Sequence, residues 1–413
     1  QQENIDTISD MPSKISMLEK RCANLKPEER NEFLMTYARP IVNKEKGNLK
    51  DAFIFASRAI EIDDKNPRAL KIAGEIILMP VDKLIVGPMV AVVTPFKDDF
   101  SIDYKAFETN LKFMTEKGLK NENSTLLIGG AGGEHPVLNV EERIELMKVA
   151  VKSVDSKVPV LTSIQHTDWR EIIKMAKAAS ENGIYGCQLG PTYYYMPTKQ
   201  DVIDLFERVA NETDVNLMIY HTWWDGFVMD FELLDHLVEI PNVNSIKWSH
   251  ENIKLFRDGL ERYSSKINMI DNSGNHILSN IYGASGFITH LSSFWPEYPE
   301  MIWESLKEKD YTKAKNLLGG FKSDWMKWVG KVVQETGGEG PFIKVAMELV
   351  GLKSGPPRPP SKKPSNELIK ELDENDEVRV ILIAAKGDTF SAGIDINLLV
   401  EAFDLNEDLK TNA

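Results

Sequence analysis

The chain has 413 residues, enough for two or three domains or for one large α/β barrel with attachments. Its 42% hydrophobic and 27% charged residues suit a globular protein with a sizeable core and exclude a wholly disordered chain. The 49 basic and 63 acidic side chains leave a net charge of −14, which repels phosphate backbones and argues against a nucleic-acid partner.

Residues 1–80 read as a helical segment without a strand-like run. Small residues at Gly47, Ala52, Ala56 and Ala59, closed by Asn66-Pro67, resemble one tetratricopeptide-type unit. A single unit cannot stack on copies of itself, so the favoured reading is a helical leader packed on its neighbour rather than a partner-binding module. Cys22 and Cys187 cannot make a disulfide framework, so a reducing, cytoplasmic compartment is expected. No apolar run approaches the ~20 residues of a membrane helix, and no membrane partner is expected. The opening Gln1-Gln2-Glu3-Asn4 lacks the basic and apolar regions of a signal peptide.

From Leu84 the texture changes. Eight short apolar runs, at 89–96, 125–130, 158–164, 186–190, 216–221, 243–248, 267–271 and 286–291, alternate with amphipathic helical stretches such as 140–154 and 201–211. Alternating strands and helices imply parallel strands with right-handed crossovers, and eight units favour an α/β fold of the (β/α)8 TIM barrel kind over an open sheet. The expected organisation is a helical segment over 1–80 and a barrel over 84–300. A C-terminal helical extension and proline-rich strap over 301–365 and a tail over 366–413 follow. Helices are expected at 301–318 and 342–350, and the run Gly355-Pro356-Pro357-Arg358-Pro359-Pro360 reads as a stiff connector or surface strap. In the tail, a strand at 378–384 followed by Gly387-Asp388-Thr389-Phe390-Ser391-Ala392-Gly393 resembles an early strand and turn of the enoyl-CoA hydratase (crotonase) family. Too little of that domain is present for an acyl pocket, so no activity is expected there.

Catalytic groups of a barrel gather at the carboxyl ends of its strands. Those ends carry Glu134 and His135, Gln165 and His166, the run Tyr193-Tyr194-Tyr195, Tyr220 and His221, Lys247, Asp271, and Thr289 with His290. Lys247, in Val243-Asn244-Ser245-Ile246-Lys247-Trp248, either faces the barrel interior, where desolvation favours a neutral nucleophilic amine, or snorkels outward among the helices. Tyr220 ends the apolar run Leu217-Met218-Ile219; it is either a proton shuttle or a barrel-layer aromatic. The turn Gly129-Gly130-Ala131-Gly132-Gly133-Glu134 lacks the dinucleotide fingerprint and suits either a carboxylate-sized anion or a plain βα connection.

These motifs together resemble the dihydrodipicolinate synthase / N-acetylneuraminate lyase family of class I Schiff-base aldolases over about 84–365. The resemblance rests on Val92-Val93-Thr94-Pro95-Phe96, Gly130 to Glu134, Tyr193-Tyr194-Tyr195-Met196-Pro197, Ile219-Tyr220, Ser245-Ile246-Lys247, Gly283-Ala284-Ser285-Gly286-Phe287-Ile288 and the closing proline run. It implies a homo-oligomer, tetramer or dimer, that acts on a small 2-keto acid or sugar acid without a cofactor or metal. It implies Lys247 as imine-forming nucleophile, Tyr220 as proton donor and acceptor, and Tyr194 as relay tyrosine. It places Ala131, Gly132, Gly133 and Ile288 around the keto-acid carboxylate.

Two departures qualify the substrate. The family's turn hydroxyls are replaced by Ala131 and Gly132, and Asp225 stands where synthase-type members carry an arginine for the distal carboxylate. An acid there repels that carboxylate, so synthesis of dihydrodipicolinate is not expected. Trp223 and Trp224 suit a more apolar partner or a sugar ring. The expected activity is a lyase of the pyruvate-type aldolase or sugar-acid dehydratase kind. Loss of the turn hydroxyls favours instead a non-catalytic keto-acid or sugar-acid binder, and scattered histidines (His135, His166, His221, His290) allow a metal-dependent barrel enzyme.

Overall fold

The computed structural model describes residues 85–192, 196–224 and 226–374. The tetratricopeptide-like segment, the crotonase-like stretch, Tyr194 and Asp225 lie outside the described residues.

Eight parallel strands close into a barrel in chain order: β1 Gly87–Ala91, β2 Thr125–Ile128, β3 Val160–Ser163, β4 Gly186–Leu189, β5 Asn216–Tyr220, β6 Val243–Trp248, β7 Asn268–Asp271 and β8 Gly286–Thr289. Each falls within one of the expected apolar runs, apart from two residues at the start of β1, and most are shorter because the flanking residues turn away into loops. Helices α1 Tyr104–Glu116, α2 Val140–Val154, α3 Trp169–Glu181, α4 Lys199–Glu212, α5 Phe231–Leu237, α6 Ile253–Tyr263 and α7 His276–Ile281 connect them. The starts of α2 and α4 are fixed by reciprocal capping boxes, Asn139 with Glu142 and Thr198 with Asp201.

The eighth barrel helix, α8 Glu297–Lys307, packs on β1, where a side chain at Gly87 would come within 3.2 Å of Trp303. The expected boundary at 300 thus falls inside a helix. The single helix expected over 301–318 is two, α8 and α9 Tyr311–Gly319. Lys309 turns left-handed at φ +58° and the Asp310 carboxylate accepts the Lys313 N–H, so a new helix starts there. Three more follow: α10 Phe321–Thr336, α11 Gly340–Leu349 and α12 Asn366–Asp373. Helix α12 opens the tail yet packs with the others: Leu372 is buried, and the Trp328 indole N–H donates to the Leu368 carbonyl at 2.8 Å.

Strand alternation divides the core. Val90, Leu126, Val160, Cys187, Leu217, Ile246 and Met269 point outward into the layer under the helices. Met89, Leu127, Leu161, Met218 and Ile270 point inward and form an apolar plug in the barrel's interior. Among the described residues no helix is long and apolar enough to cross a membrane.

Candidate active site

The orientation of Lys247, open from sequence, follows from its neighbours on β6. Ile246 and Trp248 belong to the outward layer. Trp248 donates its indole N–H to the Phe256 carbonyl at 2.8 Å and lies so close to α6 that a side chain at Gly259 would meet the ring at 2.2 Å. With Trp248 fixed outward, the pleat turns Lys247 inward. Tyr220 is its partner in register on β5, and the Lys247 Nζ lies 5.0 Å from the centre of the Tyr220 ring. Both side chains are buried at the edge of a cavity of about 810 Å3.

Beside this pair, strands β3 and β4 contribute amides. The Gln188 Nε2 donates to Gln165 Oε1 at 2.9 Å, and the Ser163 hydroxyl donates to the same oxygen at 3.0 Å. Arg143, from α2, donates to the backbone carbonyls of Gln165 and Ser163 at 2.9 and 2.5 Å and so fixes the end of β3. Pro191, Thr192, Thr222, Trp224 and Phe227 continue the wall. Trp224 faces the cavity; Trp223 packs edge-on against it with ring centres 5.4 Å apart and does not line it.

The glycine-rich turn spends part of its backbone donors on itself. Ala131 lines the cavity. Gly132 packs behind it, where a side chain would come within 3.0 Å of Ile343, and a side chain at Gly133 would come within 2.9 Å of the Val92 carbonyl. The N–H groups of Gly133 and His135 donate to the Gly130 carbonyl, and that of Glu134 to the Ala131 carbonyl, so these donors are spent inside the turn. Ile288 faces inward but packs against the apolar plug rather than on the cavity wall. Of the sequence-derived site residues, the structure brings Lys247, Tyr220 and Ala131 to one cavity; Gly132, Gly133 and Ile288 are not among the residues that line it.

Glu134 ties the turn to the C-terminal segment. It sits in the left-handed region at φ +57°, ion-pairs with the buried Lys344 of α11 at 2.7 Å, and accepts the Arg358 N–H at 3.0 Å. Burial pulls the Lys344 amine down, and the Glu134 carboxylate holds its charge in place. Arg358 in turn donates to both oxygens of Glu142 at 2.9 Å and stacks 4.4 Å from the Phe96 ring. The proline run is therefore a strap: a side chain at Gly355 would collide with the Phe96 carbonyl at 1.7 Å, and Pro360 and Ser361 reach the cavity rim.

Sequence reading missed Glu339. It lines the cavity from the C-terminal helices, and its Oε2 lies 3.1 Å from the His290 Nε2 at the end of β8. Burial opposes its charge, but His290, Lys247 and His135 outweigh that and bring the carboxyl down to about 2. His135, also on the cavity, is lowered to about 4, by burial first and then by the charges of Arg143 and Lys247. It is neutral near pH 7. A glycine-bracketed acid ahead of a proline-started helix, Gly337-Gly338-Glu339-Gly340-Pro341, is the signal that pointed to it. The other histidines have separate tasks: His166 accepts the Asp168 N–H at 2.9 Å, and the His221 ring nitrogens face the Ser249 and Met229 carbonyls. Among the described residues, no three His, Cys, Asp or Glu side chains converge as a metal site.

A barrel with an inward lysine and tyrosine at strand ends defines the class I aldolase kind of lyase. The dihydrodipicolinate synthetase family matches residues 85–377, and the chain belongs to that family. The match does not extend to the tetratricopeptide-like or crotonase-like flanks. The 4-hydroxy-tetrahydrodipicolinate synthase of Archaeoglobus fulgidus is 26% identical over 70% of this chain and 96% of its own. A probable 5-dehydro-4-deoxyglucarate dehydratase of Oceanobacillus iheyensis is 24% identical over 68% of this chain and 90% of its own. Among solved structures, a prophage protein of the dihydrodipicolinic acid synthase family from E. coli K12, in complex with pyruvate, superposes with a TM-score of 0.64. It is 21% identical over 73% of this chain and 99% of its own. The N-acetylneuraminate lyase of Mycoplasma synoviae gives 0.62 at 22% identity over 70% and 95% of the two chains.

Proposed function

We propose that this protein is a Schiff-base lyase that joins or cleaves a 2-keto acid through Lys247, with Tyr220 moving protons. The observation that carries the reading is the inward pair, Nζ 5.0 Å from the tyrosine ring, on the wall of a cavity of about 810 Å3. The Lys247 Nζ lone pair adds to the C2 carbonyl carbon. The nitrogen then gives up one proton, and the former carbonyl oxygen takes up two in all and leaves as water, which gives the protonated imine. Loss of a C3 proton then yields the enamine, and Tyr220 is placed to take and return protons in these steps. The enamine carbon either attacks an aldehyde, whose oxygen is protonated, or expels a C4 hydroxyl as water. Hydrolysis of the imine restores the amine.

The second substrate is a neutral polyhydroxy or aromatic aldehyde, or the single substrate is a sugar acid that is dehydrated. Trp224 and Phe227 on the wall support this, as does Asp225 in the same loop of the sequence. Synthesis of 4-hydroxy-tetrahydrodipicolinate, the activity named for the A. fulgidus relative, is disfavoured by that acid. We further propose a homo-oligomer, tetramer or dimer, in which Tyr194 completes the proton relay. Gly132 and Gly133, in the turn with Ala131, and Ile288 of β8 surround the keto-acid carboxylate. A non-catalytic binding protein is the second reading, favoured by the absence of a hydroxyl at Ala131 and Gly132. Borohydride reduction in the presence of pyruvate separates the two: a lyase is fixed as a stable adduct and loses activity, whereas a binding protein is recovered unmodified.

A further inference from the structure

The cavity holds a carboxylate that the imine chemistry does not use. Glu339 arrives there by a built turn. Gly337 and Gly338 are both left-handed, at φ +65° and +68°, a conformation other residues adopt only under strain. Gly340 then starts α11 flush against Glu134, where any side chain would meet the Glu134 carboxyl at 2.8 Å. Glu339 occupies the cap position of α11 but makes no cap hydrogen bond; its side chain turns to His290 and the cavity instead. One carboxylate oxygen is taken by His290, and the other makes no hydrogen bond to a described residue.

We infer that Glu339, positioned by His290, determines specificity by accepting hydrogen bonds from hydroxyl groups on the distal chain of the substrate. The site thereby selects a neutral polyhydroxylated chain over one that ends in a second carboxylate. The inference rests on the reading of this cavity as a keto-acid lyase site. Its chemistry is direct. An ionised carboxylate only accepts, and hydroxyl donors make charge-assisted bonds to it. A second carboxylate would face repulsion instead. Among the described lining residues Lys247 is the single lysine or arginine, and it is committed to the keto group, so a distal carboxylate finds no guanidinium fork. The neutral donors and acceptors on the remaining wall, Gln165, Gln188, Thr192 and Thr222, suit the same hydroxylated chain. Glu339 follows the last barrel strand, far in sequence from Asp225, and its selection of hydroxyl groups does not require that residue.

The test compares kcat/KM, at saturating pyruvate, for D-glyceraldehyde and for succinic semialdehyde in the unmodified protein, Glu339→Gln and His290→Asn. Pyruvate trapping by borohydride is run on each. The unmodified protein is expected to favour glyceraldehyde at least ~10-fold, and Glu339→Gln to narrow that preference by ~10-fold, mainly through KM. His290→Asn should narrow it less, since it frees the carboxylate without removing it. Trapping in the unmodified protein with the same preference ratio in both variants overturns this inference and leaves the lyase reading standing. Failure of the unmodified protein to trap any pyruvate overturns both. If Glu339→Gln does not fold, His290→Asn decides: an unchanged ratio there counts against the inference.

Discussion

The same eight strands carry two different interiors. In one, the inward side chains are Met89, Leu127, Leu161, Met218 and Ile270, an apolar plug that water does not reach. Two residues further along β3, β4 and β5 and at the end of β6, the inward positions are Ser163, Gln188, Tyr220 and Lys247. The two layers share strands, so what separates them is side-chain chemistry. Burial in the first layer stabilises the fold. In the second layer polar groups are held in low dielectric by neighbours on other strands, at some cost in stability, and there they can act on a ligand.

Substitutions in the two layers should therefore separate activity from stability. Lys247→Met removes the nucleophile and is expected to lower kcat by at least ~10⁴-fold, about 5 kcal/mol, with little loss of melting temperature; steady-state kinetics beside a thermal melt checks both. Glu134→Ala, which strands the buried Lys344, should cost ~3–5 kcal/mol in denaturant unfolding. The double variant Glu134→Gln with Lys344→Met should recover part of that. Leu161→Ala in the plug should cost ~2–5 kcal/mol, with kcat per folded molecule unchanged. Tyr220→Phe should slow turnover ~10²-fold, about 2.7 kcal/mol, and leave unfolding midpoints close to those of the parent.

The smallest effect lies at the amino end of β2. Glu300 of α8 accepts a hydrogen bond from Asn123 at 2.6 Å, and burial, with Glu297 and Glu304 alongside, raises its carboxyl from 4.5 to about 7. A group that holds its proton more tightly when folded contributes stability that is full below pH 4.5 and lost as pH rises through about 7. Glu300→Gln should therefore gain on the parent in melting temperature between pH 5 and 8. A gap that stays constant across that range would show that the Glu300 carboxyl is not held in this way.

What the sequence revealed followed from range. The eight strands and the Tyr220 and Lys247 strand ends were legible because each is written in a run of a few residues. Which way Lys247 points was not, since it depends on Trp248 meeting Gly259 across a helix interface. The turn at Ala131 was legible as a turn, but that the N–H groups of Gly133, Glu134 and His135 bond back to Gly130 and Ala131 is not something composition shows. Glu339 and Lys344 were missed because their partners, His290, Glu134 and Lys247, come from distant strand ends and meet only when the C-terminal helices close over the barrel mouth. Tyr194 and Asp225 are sequence expectations in residues outside those described.

Peptide mapping after borohydride reduction with pyruvate tests the central claim most directly, because among the described residues Lys322 and Lys344 are also held against neighbouring side chains. Lys322 lies against His276 and Lys344 against Glu134, while Lys247 lines the cavity. The expected result is a single reduced pyruvate adduct, on the peptide that contains Lys247, and none in Lys247→Met. An adduct on Lys322 or Lys344, or no adduct at all, would contradict the account.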